Sequence, residues 1–353
     1  MRKLLFLLLL TCSPLHAGNY AAREDVRAFI DDMKTRHGFS DKGLTSLFRR
    51  THPIAAVLKA IRPPVDPGIR SWQKYRSRFV EPRRIAAGHR FMQQHAADLA
   101  AAEAQFGVPA EIITSIIGIE TIYGQHMGDF NTFAALATLA FDYPPRAELF
   151  RRELEELLLL AREEQTDPLS YTGSYAGALG LAQFMPSSLR RYAIDFDHDG
   201  QIDLEDSPSD AIGSVARFLA EHGWRTGEPV SVTVNASGDG VQAQLDAGIE
   251  PRLTADEMRQ LAVRLDPPSG PGITAAPAAG EGTKFPAACR SMLADGNPAL
   301  PGQPAALIDL VTPAAATEYR LGYRNFWVIT RYNRSSFYAA AVTDLAMELC
   351  RLQ

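Results

Sequence analysis

The sequence predicts a mainly α fold of the α+β kind, a helical body with a small inserted antiparallel β domain. Three observations predict it. Apolar residues recur at helical spacing over most of residues 20–222. The period then switches to two, where Val230, Val232 and Val234 alternate with Ser231 and Thr233. Helical spacing returns near the end, from Ser335 to Leu349. The 353 residues, 46% hydrophobic and 22% charged, suffice for two or three compact units. A formal net charge of −5 gives no general pull toward nucleic acid or anionic lipid.

The N-terminus sets the compartment. Met1, Arg2 and Lys3 precede the apolar run Leu4 to Leu10, and Leu15-His16-Ala17 offers a small residue for cleavage, so residues 1–17 read as a signal peptide. That run is far below the ~20 residues a membrane span needs, and no later stretch qualifies. The expectation is a periplasmic protein with no transmembrane span; the alternative is an outer-membrane lipoprotein anchored through Cys12. Cys289 and Cys350 then either form a disulfide or stay as two buried thiols.

Residues 18–104 read as an N-terminal helical domain. Val26, Phe29, Ile30 and Met33 form a stripe that Gly38 ends, and Ser40 caps a helix carrying Leu44, Leu47 and Phe48. Pro53, Pro63, Pro64 and Pro67 impose turns. One long helix is expected from Pro82 to Phe106, and Trp72, Tyr75 and Phe79 are read as core before ligand contacts.

Residues 105–227 form the next unit, organised around 109–124, PAEIITSIIGIETIYG. Pro109 suits the first helical position, Glu111 the first turn and Gly124 the end. Ile112, Ile113, Ile116 and Ile117 make an apolar stripe, and Glu120 falls on it one turn later. Desolvation and the helix C-terminus both push a carboxyl there toward its protonated form, the state a general acid needs. The alternative is a glutamate reaching water at a domain edge. Further helices are expected near 132–140 and from Pro144 to about Gln165. The second turns Leu149, Phe150, Leu154, Leu157, Leu158 and Ala161 inward and leaves Glu153, Glu155, Glu156, Glu163 and Glu164 on a solvated face.

Residues 171–188, YTGSYAGALGLAQFMPSS, change character. Gly173, Gly177 and Gly180 permit close backbone approach, with Ser174, Tyr175 and Gln183 set among them, in either a packed loop or a binding surface. Ser187 is expected to cap a helix through Tyr192. Residues 195–206, DFDHDGQIDLED, follow a calcium-loop pattern. Asp195, Asp197 and Asp199 take places one, three and five, Gly200 the turn, Gln201 the carbonyl place and Asp203 the ninth, with Ile202 packing inward. The twelfth place is Asp206 instead of glutamate, so Asp206 or Asp210 closes the sphere. With the helix at 209–222 this reads as an EF-hand-like unit holding a structural Ca2+; the alternative is an acidic loop that binds nothing.

Residues 228–311 read as the α+β insertion, with a strand at Val230–Val234, a capping box at Thr254–Glu257, Pro/Gly-rich loops over 266–304 and a strand at 306–311. In 312–353 a strand is expected at Phe326–Thr330, then a last helix through Leu349 that returns to the body.

Four segments can be taken together: IIGIETIYG, GSYAGALGLAQFMPSS, DFDHDGQIDLED with DAIGSVARFLAEHGW, and ITRYNRSSFYAAAV. In this order and spacing they resemble the membrane-bound lytic transglycosylase B family, whose catalytic core looks like goose-type lysozyme. The resemblance implies a lysozyme-like helical core and a peptidoglycan lytic transglycosylase, cleaving the MurNAc-β-1,4-GlcNAc bond to leave 1,6-anhydro-MurNAc ends. It implies that Glu120 is the single catalytic acid/base, and that Ser174 and Gln183 lie beside it or on the N-acetylmuramyl sugar. Tyr332 and Tyr338 match tyrosines around the cleft, and Tyr123 joins the expected substrate contacts. Asp195, Asp197, Asp199 and Gln201 match the family's calcium loop, and calcium takes no part in the chemistry. Expected partners are peptidoglycan glycan strands and cell-wall synthesis proteins, with the chain a monomer. Two rival readings stand: a lysozyme-like muramidase with Asp129 or Asp142 positioning a water, and a non-catalytic wall-binding calcium module.

Overall fold

The computed structural model describes residues 19–63, 70–267 and 302–351; the leader, Cys12, Cys289 and most of the Pro/Gly-rich stretch lie outside the described residues. In chain order the helices are α1 (Glu24–His37), α2 (Asp41–Arg50), α3 (Ala55–Ala60), α4 (Trp72–Phe79), α5 (Pro82–Gln94), α6 (Ala96–Phe106), α7 (Ala110–Thr121), α8 (Thr132–Asp142), α9 (Ala147–Glu163), α10 (Pro186–Tyr192), α11 (Pro208–Glu221), α12 (Val241–Asp246), α13 (Ala255–Gln260), α14 (Arg324–Tyr332) and α15 (Ser336–Cys350). The strands are β1 (Phe130–Asn131), β2 (Thr172–Gly173), β3 (Ser231–Ser237), β4 (Arg264–Asp266), β5 (Ala306–Leu310) and β6 (Glu318–Gly322). The fold is mainly helical, as the periodicity predicts.

The described residues form two compact units, one within 19–62 and 130–177, the other within 63–129 and 178–351. Both are discontinuous in sequence, whereas among the domains expected from the sequence only the last segment, 312–353, returns to an earlier part of the chain. Periodicity reports which face of a segment is buried, not which distant segment buries it.

The first unit packs α1, α2, α3, α8 and α9 around aromatic rings. Phe48 lies 5.2 Å from Phe133 and 5.9 Å from Phe141, and Phe29 meets both Phe48 and Phe141 edge-on. Asp142 accepts from the Tyr20 hydroxyl and pairs with Arg23, each at 2.5 Å. On α9 two expectations fail. Leu149 is exposed, and Glu153 is buried, while Glu155 is tied to Arg36 and His37 instead of standing in solvent. The α1 helix supplies these partners, so a glutamate face that looks solvated in isolation is half covered.

The second unit is built on α7, where Ile112, Ile113, Ile116 and Ile117 are fully buried. α15 packs along it, and Ala339, Ala340 and Ala341, all buried, let the two backbones close up. β4-β3-β6-β5 form one antiparallel sheet, with Leu321 opposite both Val232 and Leu307. Met258, Val263, Leu265 and Tyr323 fill its apolar side. The capping box at Thr254 and Glu257 is present as expected.

Three local expectations are corrected here. The expected Pro82–Phe106 helix breaks at His95, which leaves helical geometry (φ −115°, ψ 30°). Buried Gly88, Phe91, Leu99 and Ala102 keep one stripe across that break, so periodicity alone cannot register it. Phe326–Thr330 is helical, inside α14. Its β-branched, aromatic run imitates a buried strand, but Arg324, Trp327 and Arg331 fall on one helical face. Met185, not Ser187, precedes α10, with Pro186 at its first turn. Cys350 is buried and disulfide-bonded.

Candidate active site

Pro109 sits at the N-cap of α7 instead of the first helical position. At the other end Ile122 (φ 52°), Tyr123 (φ 56°) and Gly124 (φ 86°) all turn left-handed, so the helix stops at Thr121 and Glu120 lies in its final turn. Thr121 makes that stop. Its hydroxyl is shared between the carbonyls of Ile117 (3.1 Å) and Leu181 (3.2 Å) and accepts from the Gly124 N–H (3.0 Å).

Glu120 itself is half-buried. Burial pushes its pKa up to about 7, and the Tyr338 hydroxyl, donating to Oε1 at 2.6 Å, works the other way by favouring the charged form. Tyr338 comes from the first turn of α15, where the Ser335 side chain accepts from its N–H. Its ring is buried and stacks on Tyr332 of α14, 6.4 Å away and 11° from parallel. The Tyr332 hydroxyl donates to the carbonyl of Ala182 at 2.5 Å. Tyr75 of α4 also senses the glutamate: burial and the Glu120 charge push it up to about 12. The sequence reading placed Tyr75 in the core. Its hydroxyl, where phenylalanine would pack as well, was the one signal available.

Gln183 staples the loop after Glu120. Held at φ 49°, it donates from Nε2 to the carbonyls of Met127 and Gly180, both at 3.0 Å. Gly180 has to be glycine: at φ 65°, a Cβ there would fall 2.3 Å from the carbonyl oxygen of Leu204. That contact joins the glycine-rich segment to the end of the acidic loop, since Leu181 N–H donates to the same carbonyl at 2.7 Å.

The structure therefore gathers Glu120, Tyr338, Tyr332, Tyr75 and Gln183 in the second unit. Tyr123, expected among the substrate contacts, turns its hydroxyl into the protein. Its hydroxyl is buried, and a Cβ on Gly88 or Gly118 would come within 2.5 Å of it, so it serves the packing of α5 on α7. Ser174 is half-buried just after β2 in the first unit. Of the two aspartates considered for positioning water, Asp142 is committed to Tyr20 and Arg23, and Asp129 is exposed.

In the acidic loop, carboxylate oxygens of Asp195, Asp197 and Asp210 lie within 4.8 Å of one another. Gly200 turns the chain at φ 93°, and its N–H donates to Asp195. Asp206 is exposed and stays outside the cluster; Asp210, at the start of α11, is buried and accepts from the N–H groups of Phe196 and Asp203. Asp199 spends an oxygen on the Gln201 N–H and is also outside the cluster. Ile202 is exposed, not packed inward. Three carboxylates this close repel one another, and a divalent cation with oxygen preference is the group that relieves them.

A helical core presenting, at the end of α7, a glutamate whose pKa burial raises to about 7, with a tyrosine on its carboxyl and no second carboxylate acting on it among the described residues, is that of a lysozyme-like glycan-cleaving enzyme. The family profile described as Transglycosylase SLT domain matches residues 21–347, and the chain belongs to that family. It is 37% identical over 347 residues to membrane-bound lytic murein transglycosylase B of Escherichia coli (strain K12), covering 95% of this chain and 86% of the relative. It superimposes on the crystal structure of the soluble lytic transglycosylase SltB1 from Pseudomonas aeruginosa with a TM-score of 0.77 at 43% identity, over 93% of this chain and 98% of that one. The Escherichia coli lytic transglycosylase Slt35 in complex with calcium gives 0.74 at 35% identity, over 97% and 99%.

Proposed function

We propose that the chain is a lytic murein transglycosylase whose chemistry runs through Glu120 alone. Protonated near neutrality, Glu120 gives its proton to the glycosidic oxygen leaving the muramyl carbon, and that C–O bond breaks. The sugar's own acetamido oxygen shields the positive charge left behind. Glu120, now a carboxylate, takes the proton of the same sugar's C6 hydroxyl as that oxygen closes onto the carbon, giving a 1,6-anhydro ring and regenerating the acid. The intramolecular hydroxyl replaces water, a positioning effect that lowers the barrier by several kcal/mol. Ordinary hydrolysis places a second carboxylate for the water; Asp142, spent on Arg23 and Tyr20, is ill suited to that task.

The observation that carries this reading is Glu120 in the last turn of the apolar α7 with the Tyr338 hydroxyl 2.6 Å from its carboxyl, a setting in which burial pushes its pKa up to about 7. Tyr332 and Gln183 hold the surrounding backbone, and for Ser174 the support is the motif alone. Asp195, Asp197 and Asp210 are proposed to hold a structural Ca2+, the relative with calcium supporting the choice of ion. The leader of residues 1–17 supports periplasmic placement, and among the described residues no helix is long and apolar enough to cross a membrane. Digestion of purified murein tests the reaction. Wild type should release fragments lacking the added water, and Glu120→Gln should lose at least about a hundredfold in rate while keeping its fold. Products carrying an added water would refute the transglycosylase reading.

A further inference from the structure

The second unit also carries guanidinium groups that form no ion pair among the described residues. Arg191 lies over the ring of Tyr192 at 5.1 Å, and Tyr192 packs on His222 at 5.1 Å. Arg324 donates to the carbonyl of His222 at 3.3 Å and covers the Trp327 ring at 4.3 Å. Arg331 lies over the same ring at 4.6 Å. Its Nε is buried without a hydrogen-bond partner, and its one bond is a long 3.5 Å contact to Thr330. Among the described residues Arg191, Arg331 and Arg334 make no ion pair; Glu250, the acid that acts on Arg331, already binds Arg252 at 2.8 Å. In a chain of net charge −5 this is a local excess of positive charge.

The excess adjoins the active site through packed rings. Phe218 stacks on His222 at 4.1 Å and meets Tyr332 at 4.9 Å, and Tyr332 stacks on Tyr338, which holds Glu120. In murein the lactyl carboxyl of each muramyl sugar is tied up in the amide to its peptide, so the free carboxylates of a peptide-bearing strand come from the stem. A half-buried arginine fork beside a tryptophan suits a planar carboxylate better than a diffuse layer of lipid headgroups.

We propose that Arg191 and Arg331, with Arg334 at the rim, bind carboxylates of the peptide stem and so select peptide-bearing strands over bare glycan. The inference rests on the transglycosylase reading above. The test compares wild type with the Arg191→Gln/Arg331→Gln double variant on murein strands that carry their peptides and on strands stripped of them by an amidase. On peptide-bearing strands the variant should raise KM roughly tenfold with kcat nearly unchanged. Stripping frees the lactyl carboxyl on each muramyl sugar, so on stripped strands the two proteins should differ far less than on peptide-bearing ones, and restoring charge with lysine should recover part of the preference. Equal losses on both substrates, or none on either, would overturn the inference. So would a loss seen only in binding to phosphatidylglycerol vesicles, which would make the patch a membrane contact. Should the double variant fail to fold, the exposed Arg191→Gln alone carries the comparison. A wild type that forms no anhydro ends on either substrate would instead defeat the functional reading itself.

Discussion

Glu120 and Tyr338 act on each other in a way that fixes a sign. The tyrosine hydroxyl donates to the carboxyl at 2.6 Å and stabilises its ionised form, against the burial that raises its pKa to about 7. Activity that needs the protonated acid falls as pH rises through that value. Tyr338→Phe removes the donor, so the pKa climbs further and the alkaline limb of the kcat/KM profile should move up by roughly one pH unit. A limb that stays in place, or moves down, would show that the hydroxyl does not govern the acid. Tyr75 belongs to the same scale, since burial first and then the Glu120 charge raise its pKa from α4.

Among the elements, the acidic loop and α11 make the sharpest case. Helix α11 starts at Pro208 with Ser207 as its cap, which brings Asp210 back to the N–H groups of Phe196 and Asp203 and leaves Asp206 in solvent. Adding millimolar Ca2+ to protein treated with EDTA should raise the melting temperature, by about 1 kcal/mol of stability for a site with a dissociation constant near 10⁻⁴ M. Asp210→Ala should abolish that increment and Asp206→Ala should leave most of it. The opposite pattern would assign the closing ligand to Asp206. Because Leu204 at the loop's end abuts Gly180, the same loop braces the segment that carries Gln183.

At the scale of the whole molecule each unit carries its own brace. In the first, Asp142 joins Tyr20 and Arg23. In the second, buried Arg320 of β6 pairs with Glu318 (2.6 Å) and with Asp344 of α15 (2.8 Å), while Arg76 of α4 reaches Asp344 at 2.6 Å. Glu318 also accepts from the Trp72 indole, so sheet, α4 and α15 meet at one charged knot behind Tyr75 and Tyr338. Arg320→Ala leaves Glu318 and Asp344 short of a counter-charge and should cost about 3–5 kcal/mol in denaturant unfolding. A cost below ~1 kcal/mol would mean that Arg76 alone satisfies both acids.

The sequence by itself determined the local grammar. The helical stripes, the caps at Ser40 and Thr254, the turn at Gly200 and the glutamate on the apolar face of α7 are all readable, because each depends on residues within a few places of one another. Only the tertiary structure decided which distant groups complete them. The donor to Glu120 stands 218 residues away, the counter-charges of Glu155 come from α1, and α14 is a helix because its neighbours bury one side of it. Such choices turn on burial by segments remote in sequence. Spacing records that a face is buried and is silent about its partner.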